Sequence, residues 1–488
     1  MKRNKFSLGH YKLLTMDMGN LIPISWFEVL PGDTVQQRTS SLIRCSPLLA
    51  PVMHPVRCRI HHFYVCLRDI WDDFEDFITG GPDGTSVPTH PYISSAAITE
   101  GSLHDYMGVP VDAAYSPNLE YSALPFRAQA KIYNEFYRDQ DLVTELTVDT
   151  TSGQDTTTDV GINKVAWEKD RLTTTRPWAT KGNTITIPLV AGEAPVLGIG
   201  PTAGATFTGS QNILQSDGTT YSPNDVSSNS LYYRESATHA GYPGIEADLT
   251  GASGVNINNL RWSLALQRYQ EARAQYGSRY SEYLRYLGVD VGDRTEEAEY
   301  LGGGRQTISF SEVLATDGAN TGDMYGHGIS ALRTNRYRKF FKEHGIVMTF
   351  MSVVPKAIYT HALHKKFSRT VKEDYFVREL QTTGEQEIYN KEVYAPHATP
   401  DGIFGYQARY DSYRSHPSDV HSEFLSTLDH WHYGRIFASD PALNQTFTDC
   451  TPTKRVNASS GTDCLYVLAN HSIQARRAML KYAKSKTF

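Results

Sequence analysis

Cysteine is scarce, and its spacing excludes more than its number does. The five, Cys45, Cys58, Cys66, Cys450 and Cys464, are odd in count and include no C-x-x-C pair. Neither a zinc site nor a redox dithiol is expected, and small buried thiols in a reducing compartment fit better. Long apolar runs are missing as well. None approaches the ~20 residues that cross a bilayer, so no membrane insertion is expected. The start, MKRNKFSLGHYK, has the charge of a signal peptide but no apolar stretch after it, and the expectation is a chain made and used without export. No GxSxG, P-loop or zinc-deaminase signature occurs.

Charge of one sign is missing in three places. No carboxylate precedes Asp17, while Lys2, Arg3, Lys5 and Lys12 do; none follows Asp463, while Arg476, Arg477, Lys481, Lys484 and Lys486 do. The chain carries a net charge of −6, so both ends are basic on an acidic body. Basic ends are compatible with solvated termini and with neutralising phosphates, which needs only charge and reach. Conversely, residues 182–233 contain no Lys or Arg.

Aromatic residues are abundant: 30 Tyr, 19 Phe and 6 Trp in 488 residues. Tyr and Trp suit surfaces that are apolar yet half wet, which raises extensive interfaces as a possibility. The stretch LIPISWFEVLPGDTV, residues 21–35, is apolar and β-prone. Pro23 and Pro31 bar it from a central strand, and Pro31-Gly32-Asp33 reads as a turn. VRCRIHHFYVCL (56–67) alternates as a strand. GIVMTFMSVVP (345–355) is continuously apolar, as expected of a strand covered on both faces. Helices are expected near 70–79 (Ile70, Phe74, Phe77), over 125–138 with Pro125 at its first position, and from Asn259 to Gly277 with a stripe of Trp262, Leu266, Tyr269 and Tyr276. The acids Asp72, Asp73, Glu75 and Asp76 read as one solvated helix face. YLGGGRQT (300–307) lacks the Lys of a phosphate loop and reads as a flexible turn. The RYSEYLRYLG segment suits base stacking or a protein interface, and the interface is preferred. From about 147 to 258 the chain turns rich in Thr, Ser, Gly and Asn, as a loop excursion with short strands would. The whole reads as β-dominant, a sandwich or jelly roll rather than an alternating βα fold.

Histidine pairs (His61-His62, His361 and His364, His430 and His432) invite a metal, but no third ligand has a defined place, and neither metal nor catalytic residues are assigned. A carbohydrate-active β-sandwich remains the enzyme alternative, since its two carboxylates carry no local signature.

FSLGHYKLLTMDMGNLIPISWFEVLPGDTV, LLAPVMHPVRCRIHHFYVCLRDIWDDFEDFITGG, LPFRAQAKIYNEFYRDQDL, INNLRWSLALQRYQEARAQYGSRYSEYLRYLGV, EYLGGGRQTISFSEV and STLDHWHYGRIF occur in this order. They resemble the major capsid proteins of the small single-stranded DNA phages, Microviridae, most of all the gokushovirus-like branch. The resemblance implies a single eight-stranded antiparallel jelly-roll sandwich with long inserted loops and a few short helices, and no cofactor. It implies self-assembly into a T=1 icosahedral shell around circular single-stranded DNA, in the cytoplasm of a bacterial host. Its partners would be itself, the genome, internal scaffolding and DNA pilot proteins, and a host cell-surface receptor. The expected parts are an N-terminal arm with the first half of the roll (1–146), a protruding insertion (147–258), a helix with the rest of the roll (259–470) and a basic tail (471–488). Ile22, Ile24, Trp26 and Phe27 are expected to pack between subunits. Arg3, Lys5, Arg476, Arg477, Lys481, Lys484 and Lys486 are expected on interior DNA, and Tyr221, Tyr232 and Tyr233 toward a receptor.

Overall fold

A computed structural model describes residues 3–185, 257–277, 279–289, 298–316 and 322–480, with the backbone of four two-residue strands at Val196–Leu197, Ile213–Leu214, Thr220–Tyr221 and Glu246–Ala247. The chain divides into two compact units, Met1–Ala179 with Arg273–Phe488, and Thr180–Ala272.

The larger unit is built on two antiparallel sheets. Its strands are β1 (Asn4–Ser7), β2 (His10–Met16), β3 (Ile22–Val29), β4 (Thr34–Cys45), β5 (Val56–Cys66), β6 (Ala298–Thr307), β7 (Ser309–Leu314), β8 (Met324–Arg333), β9 (Tyr337–Phe340), β10 (Gly345–Pro355) and β11 (Leu465–Arg477). The seven-stranded sheet runs β1-β11-β4-β8-β7, with β2 also on β11 and β9 also on β4; the four-stranded sheet runs β6-β5-β10-β3. Ile22, Ile24, Cys58, Ile60, Met351 and Val353 from the smaller sheet meet Met16, Ile43, Leu465, Val467 and Ala469 from the larger in one buried cluster. Each of the isoleucine, leucine, valine and methionine side chains among them contributes on the order of 1.5–3 kcal/mol.

The two sheets differ on their outer faces. Every residue of β10 is buried, because a second cluster of Phe63, Val65, Met348 and Phe350 packs under helix α3 (Leu124–Ile132) and the loops around it. β11 instead alternates buried and exposed along nearly its whole length, and β4 alternates buried and half-buried up to the exposed Arg44. Among the described residues the larger sheet therefore keeps one face open.

β3 lies on the edge of the smaller sheet, where the missing N–H of Pro23 leaves no ladder bond unmade. The register slips by one residue between Thr349↔Ser25 and Phe350↔Pro23, a bulge that accommodates the proline. The turn after β3 forms as read: Asp33 N donates to the Leu30 carbonyl (3.0 Å), and the Asp33 carboxylate accepts from Leu30 N (3.1 Å).

Other elements follow the sequence with shifts at their ends. Helix α1 spans Phe74–Thr79 and stops at Gly80 in the left-handed region, and α2 is Leu103–Met107. α3 begins one residue before Pro125 and continues as a π turn over Tyr133–Tyr137. The turn expected at 300–307 is instead strand β6, paired with β5 from Ala298↔Val65 to Thr307↔Arg57 with a bulge after Tyr300. Glycine serves close approach there: a Cβ on Gly303 would lie 2.2 Å from the Ile60 carbonyl oxygen.

Residues 147–179 belong to the larger unit, with Val165, Trp167 and Leu172 in its core. Backbone bonds hold them there: Leu21 N to Asn163 O (2.9 Å), Val165 N to Gly19 O (2.9 Å) and Trp167 N to Thr448 O (3.0 Å). Threonines in this stretch close local turns, as Thr158 does by donating its hydroxyl to Asp155 (2.7 Å).

The smaller unit holds two short ladders, Val196–Leu197 with Glu246–Ala247 and Ile213–Leu214 with Thr220–Tyr221, and most of helix α4 (Ile257–Tyr276). Asn259 lies within α4 rather than capping it, and Gly277 (φ +100°) follows its last turn. Trp262 is exposed rather than packed, so the expected stripe is not a buried face.

Candidate interaction surfaces

Of the apolar residues expected between subunits, Ile22 and Ile24 turn inward. Ile22 and Ile24 have no exposed surface and lie in the chain's own core. Trp26 is half-buried against the cluster under α3, and its Nε1 donates to the Met107 carbonyl (2.8 Å). Phe27 packs beside Val29, Val347 and Ile473. Ile22 and Ile24 are thus spent inside the chain, while Trp26 and Phe27 keep part of their surface; an edge strand of the smaller sheet is as apolar as an intersubunit arm, and composition does not separate them.

The basic ends come together. β1 pairs with β11 so that Lys5 lies opposite Arg476. Arg476 and Arg477 close a strand instead of opening a tail. Arg477 is engaged locally, with an ion pair to Asp33 (2.9 Å) and a bond to the Glu28 carbonyl (2.6 Å). Arg3 donates to Thr34 Oγ1 (3.2 Å) and covers the Phe340 ring (5.1 Å). Lys481, Lys484, Lys486, Tyr232 and Tyr233 lie outside the described residues, as does the Tyr221 side chain.

Sequence reading missed a larger basic feature on the open face of the seven-stranded sheet. Arg38 and Arg44 share one face of β4 by alternation. Register adds Arg333 opposite Ser40, Arg338 opposite Gln36 and Arg476 opposite Thr34. Loss of hydration and the adjacent Arg333 and Arg336 guanidiniums lower the Arg38 pKa. The signal was present as period-two arginines in TVQQRTSSLIRC and as the carboxylate-free LRTNRYRKF.

The histidines serve packing. His62 bridges Thr349 Oγ1 (2.9 Å) and Thr334 Oγ1 (3.4 Å), His471 reaches Thr39 Oγ1 (3.0 Å), and Gln37 donates to Thr349 Oγ1 (2.9 Å). This network ties the sheets together inside the sandwich. Burial pushes His62 and His471 down to about 3, and His54 and His61 down to about 4. His364 pairs with Asp419 (3.1 Å), and His432 is bonded to the Phe424 carbonyl (2.8 Å). Among the described residues no group of three or more His, Cys, Asp or Glu could hold a metal. All five cysteines are free; four are buried and Cys66 is half-buried.

A cavity of about 340 Å³ lies beside Trp167, Arg435, Phe437, Phe447 and Arg455. Arg435 is caged by the rings of Phe447 (4.1 Å), Trp167 (5.0 Å), Phe437 (5.2 Å) and Tyr359 (5.4 Å), and it donates to the Phe447 carbonyl (2.7 Å). Cation–π contact replaces a carboxylate partner, fixing the loop that follows the HWH segment. Asp440 is the one carboxylate in the lining, where glycosidic cleavage needs a facing pair.

Two packed sheets, an open basic face and histidines spent on packing define a structural protein whose working parts are surfaces. Along residues 1–487 the sequence matches the family described as capsid protein (F protein), and the chain belongs to that family of phage capsid proteins. It is similar to capsid protein VP1 of Bdellovibrio phage phiMH2K, with 33% identity over 481 residues covering 93% of this chain and 89% of that protein. Capsid protein VP1 of Chlamydia phage 1 is 30% identical over 545 residues, covering 94% and 91%. That of Spiroplasma virus 4 is 26% identical over 546 residues, covering 99% and 94%. This is a Microviridae-type capsid protein, structural and not enzymatic, and its place is the virion.

Proposed function

We propose that this chain is the major capsid protein of a small single-stranded DNA phage, that its two sheets form a jelly roll, and that copies assemble into a T=1 icosahedral shell around the circular genome. The observation that carries the reading is strand order. Numbering β2, β3, β4, β5, β6, β8, β10 and β11 from one to eight, the sheets run 1-8-3-6 and 2-7-4-5. That is the order of a doubled Greek key, the fold of many viral shells. The family match along 1–487 supports the same reading.

Subunit contacts then fall on surfaces other than β3. The helix α5 (Tyr280–Tyr286) leaves Tyr280, Tyr283 and Tyr286 exposed, as interface aromatics would be. Assembly takes place in the bacterial cytoplasm, with scaffolding and DNA pilot proteins as transient or internal partners. The insertion, taken as Thr180–Ala272, faces outward and meets the host receptor. Its lysine- and arginine-free run, 182–233, is unsuited to holding a polyanion.

Electron microscopy of the purified protein tests this reading. Closed, uniform particles are expected. A soluble monomer that turns over a glycan would replace it with the carbohydrate-active alternative.

A further inference from the structure

Resting on the capsid reading, we infer that the open face of the seven-stranded sheet is the wall that meets the single-stranded genome, and that Arg38, Arg333, Arg336 and Arg338 grip its phosphates.

The two sheets are covered unequally. In the smaller, β10 is buried along its whole length, while outward residues of β11 such as Tyr466, Leu468 and Arg476 are exposed among the described residues. The face is built in registered rows. One reads Tyr11, Asn470, Ser40, Arg333, and the next Leu13, Leu468, Leu42, Ala331. A third reads Ser7, Gln474, Gln36, Arg338, and a fourth Lys5, Arg476, Thr34, Phe340. Residues directly opposite in an antiparallel ladder share a face. No carboxylate occupies any position of these four rows.

That absence is unusual in an acidic chain. Many cations elsewhere in the larger unit are matched: Arg57 and Arg59 to Glu168, Arg127 to Asp155, Arg171 and Lys365 to Glu392, Lys169 and Arg176 to Asp139. Among the described residues, Arg38, Arg333, Arg336 and Arg338 have no ion pair within 4 Å, and Arg333 and Arg336 each repel Arg38. A like-charge cluster without counter-ions is unfavourable in the isolated protein and is relieved by a polyanion. Tyr11 (72% exposed) and Tyr466 (42%), the latter opposite Arg44, add flat rings to the same face. Cations tracking a backbone with aromatic rings between them form a sequence-tolerant surface for single strands. A partner with an acidic protein surface would need the charges alone.

Fluorescence anisotropy of the full-length chain with a labelled thymidine 30-mer, across a salt series, tests the assignment. The variant Arg38→Gln/Arg333→Gln/Arg336→Gln/Arg338→Gln is compared with an equal charge change elsewhere, Lys366→Gln/Lys372→Gln/Arg378→Gln/Arg414→Gln. The face variant should bind at least tenfold more weakly and lose about 3 from the slope of log affinity against log salt, at ~0.7 per phosphate contact. The control should keep the wild-type slope. Tyr466→Ala should weaken binding without changing the slope. Should the fourfold variant not fold, Arg336→Gln and Arg338→Gln singly should each remove about 0.7. Unchanged slopes, equal losses in face and control variants, or intact DNA binding with lost particle formation would each overturn the inference; the last would make the face a protein interface. Failure of the wild type to form particles in the microscope would instead strike the capsid reading itself.

Discussion

Histidine shows how residue chemistry was hidden from sequence. HH and HxH pairs advertise ligands, yet His62 and His471 are spent on a buried polar network between the sheets. The consequence is a pH dependence with a definite sign. Both imidazoles titrate near 3 when folded and near 6.5 when unfolded, with His10 stacked on His471 (4.8 Å) and Lys12 nearby. The folded pKa is depressed, so stability is intact above about pH 6.5 and falls as the unfolded chain takes up protons below it. Between pH 6.5 and pH 5 each site should remove about 2 kcal/mol. Thermal unfolding at pH 7 and pH 5 should show a clear loss for wild type and a smaller one for His62→Gln. An equal pH loss in both would contradict the assignment. The open-face arginines were unread for a different reason: they are scattered over three strands and a loop, and only register unites them.

Elements were legible where one physical signal dominated. The unbroken apolar run of β10 announced cover on both faces, and the prolines of residues 21–35 announced an edge. The GGG of β6 was misread because glycine marks turns and close strand packing alike. The structure distinguishes them through the Ile60 carbonyl beneath Gly303. Gly303→Ala should therefore act as a packing defect inside a strand. A loss of about 1–3 kcal/mol is expected, the usual range for overpacking. Gly322→Ala, a glycine with open space around it but φ +97°, offers a loop comparison. A melting temperature unchanged by Gly303→Ala would restore the turn reading. The packing of 147–179 into the larger unit was hard to read for a related reason, since threonine serves both exposed loops and buried turns such as the Thr158 hydroxyl on Asp155 (2.7 Å).

At the scale of the molecule, β dominance followed from short alternating strands and turn residues, and the capsid family from ordered motifs. What sequence withheld was the asymmetry between a covered sheet and an open one, which depends on what packs over each. The division of labour proposed for the two units is open to deletion. Replacing residues 182–233 by a Gly/Ser bridge should leave particle formation intact and impair adsorption to host cells, because closing a loop costs little more as its length changes. Unchanged adsorption, or loss of particles, would refute an outward, host-facing role. The central claim, a shell whose open sheet face lines the genome, is tested most directly by an icosahedral cryo-electron microscopy reconstruction of DNA-filled particles. The account predicts closed T=1 shells with Arg38, Arg333 and Arg338 directed at the lumen and density for nucleic acid against them. Particles with that face on the exterior or sealed between subunits, or no particles at all, would contradict it.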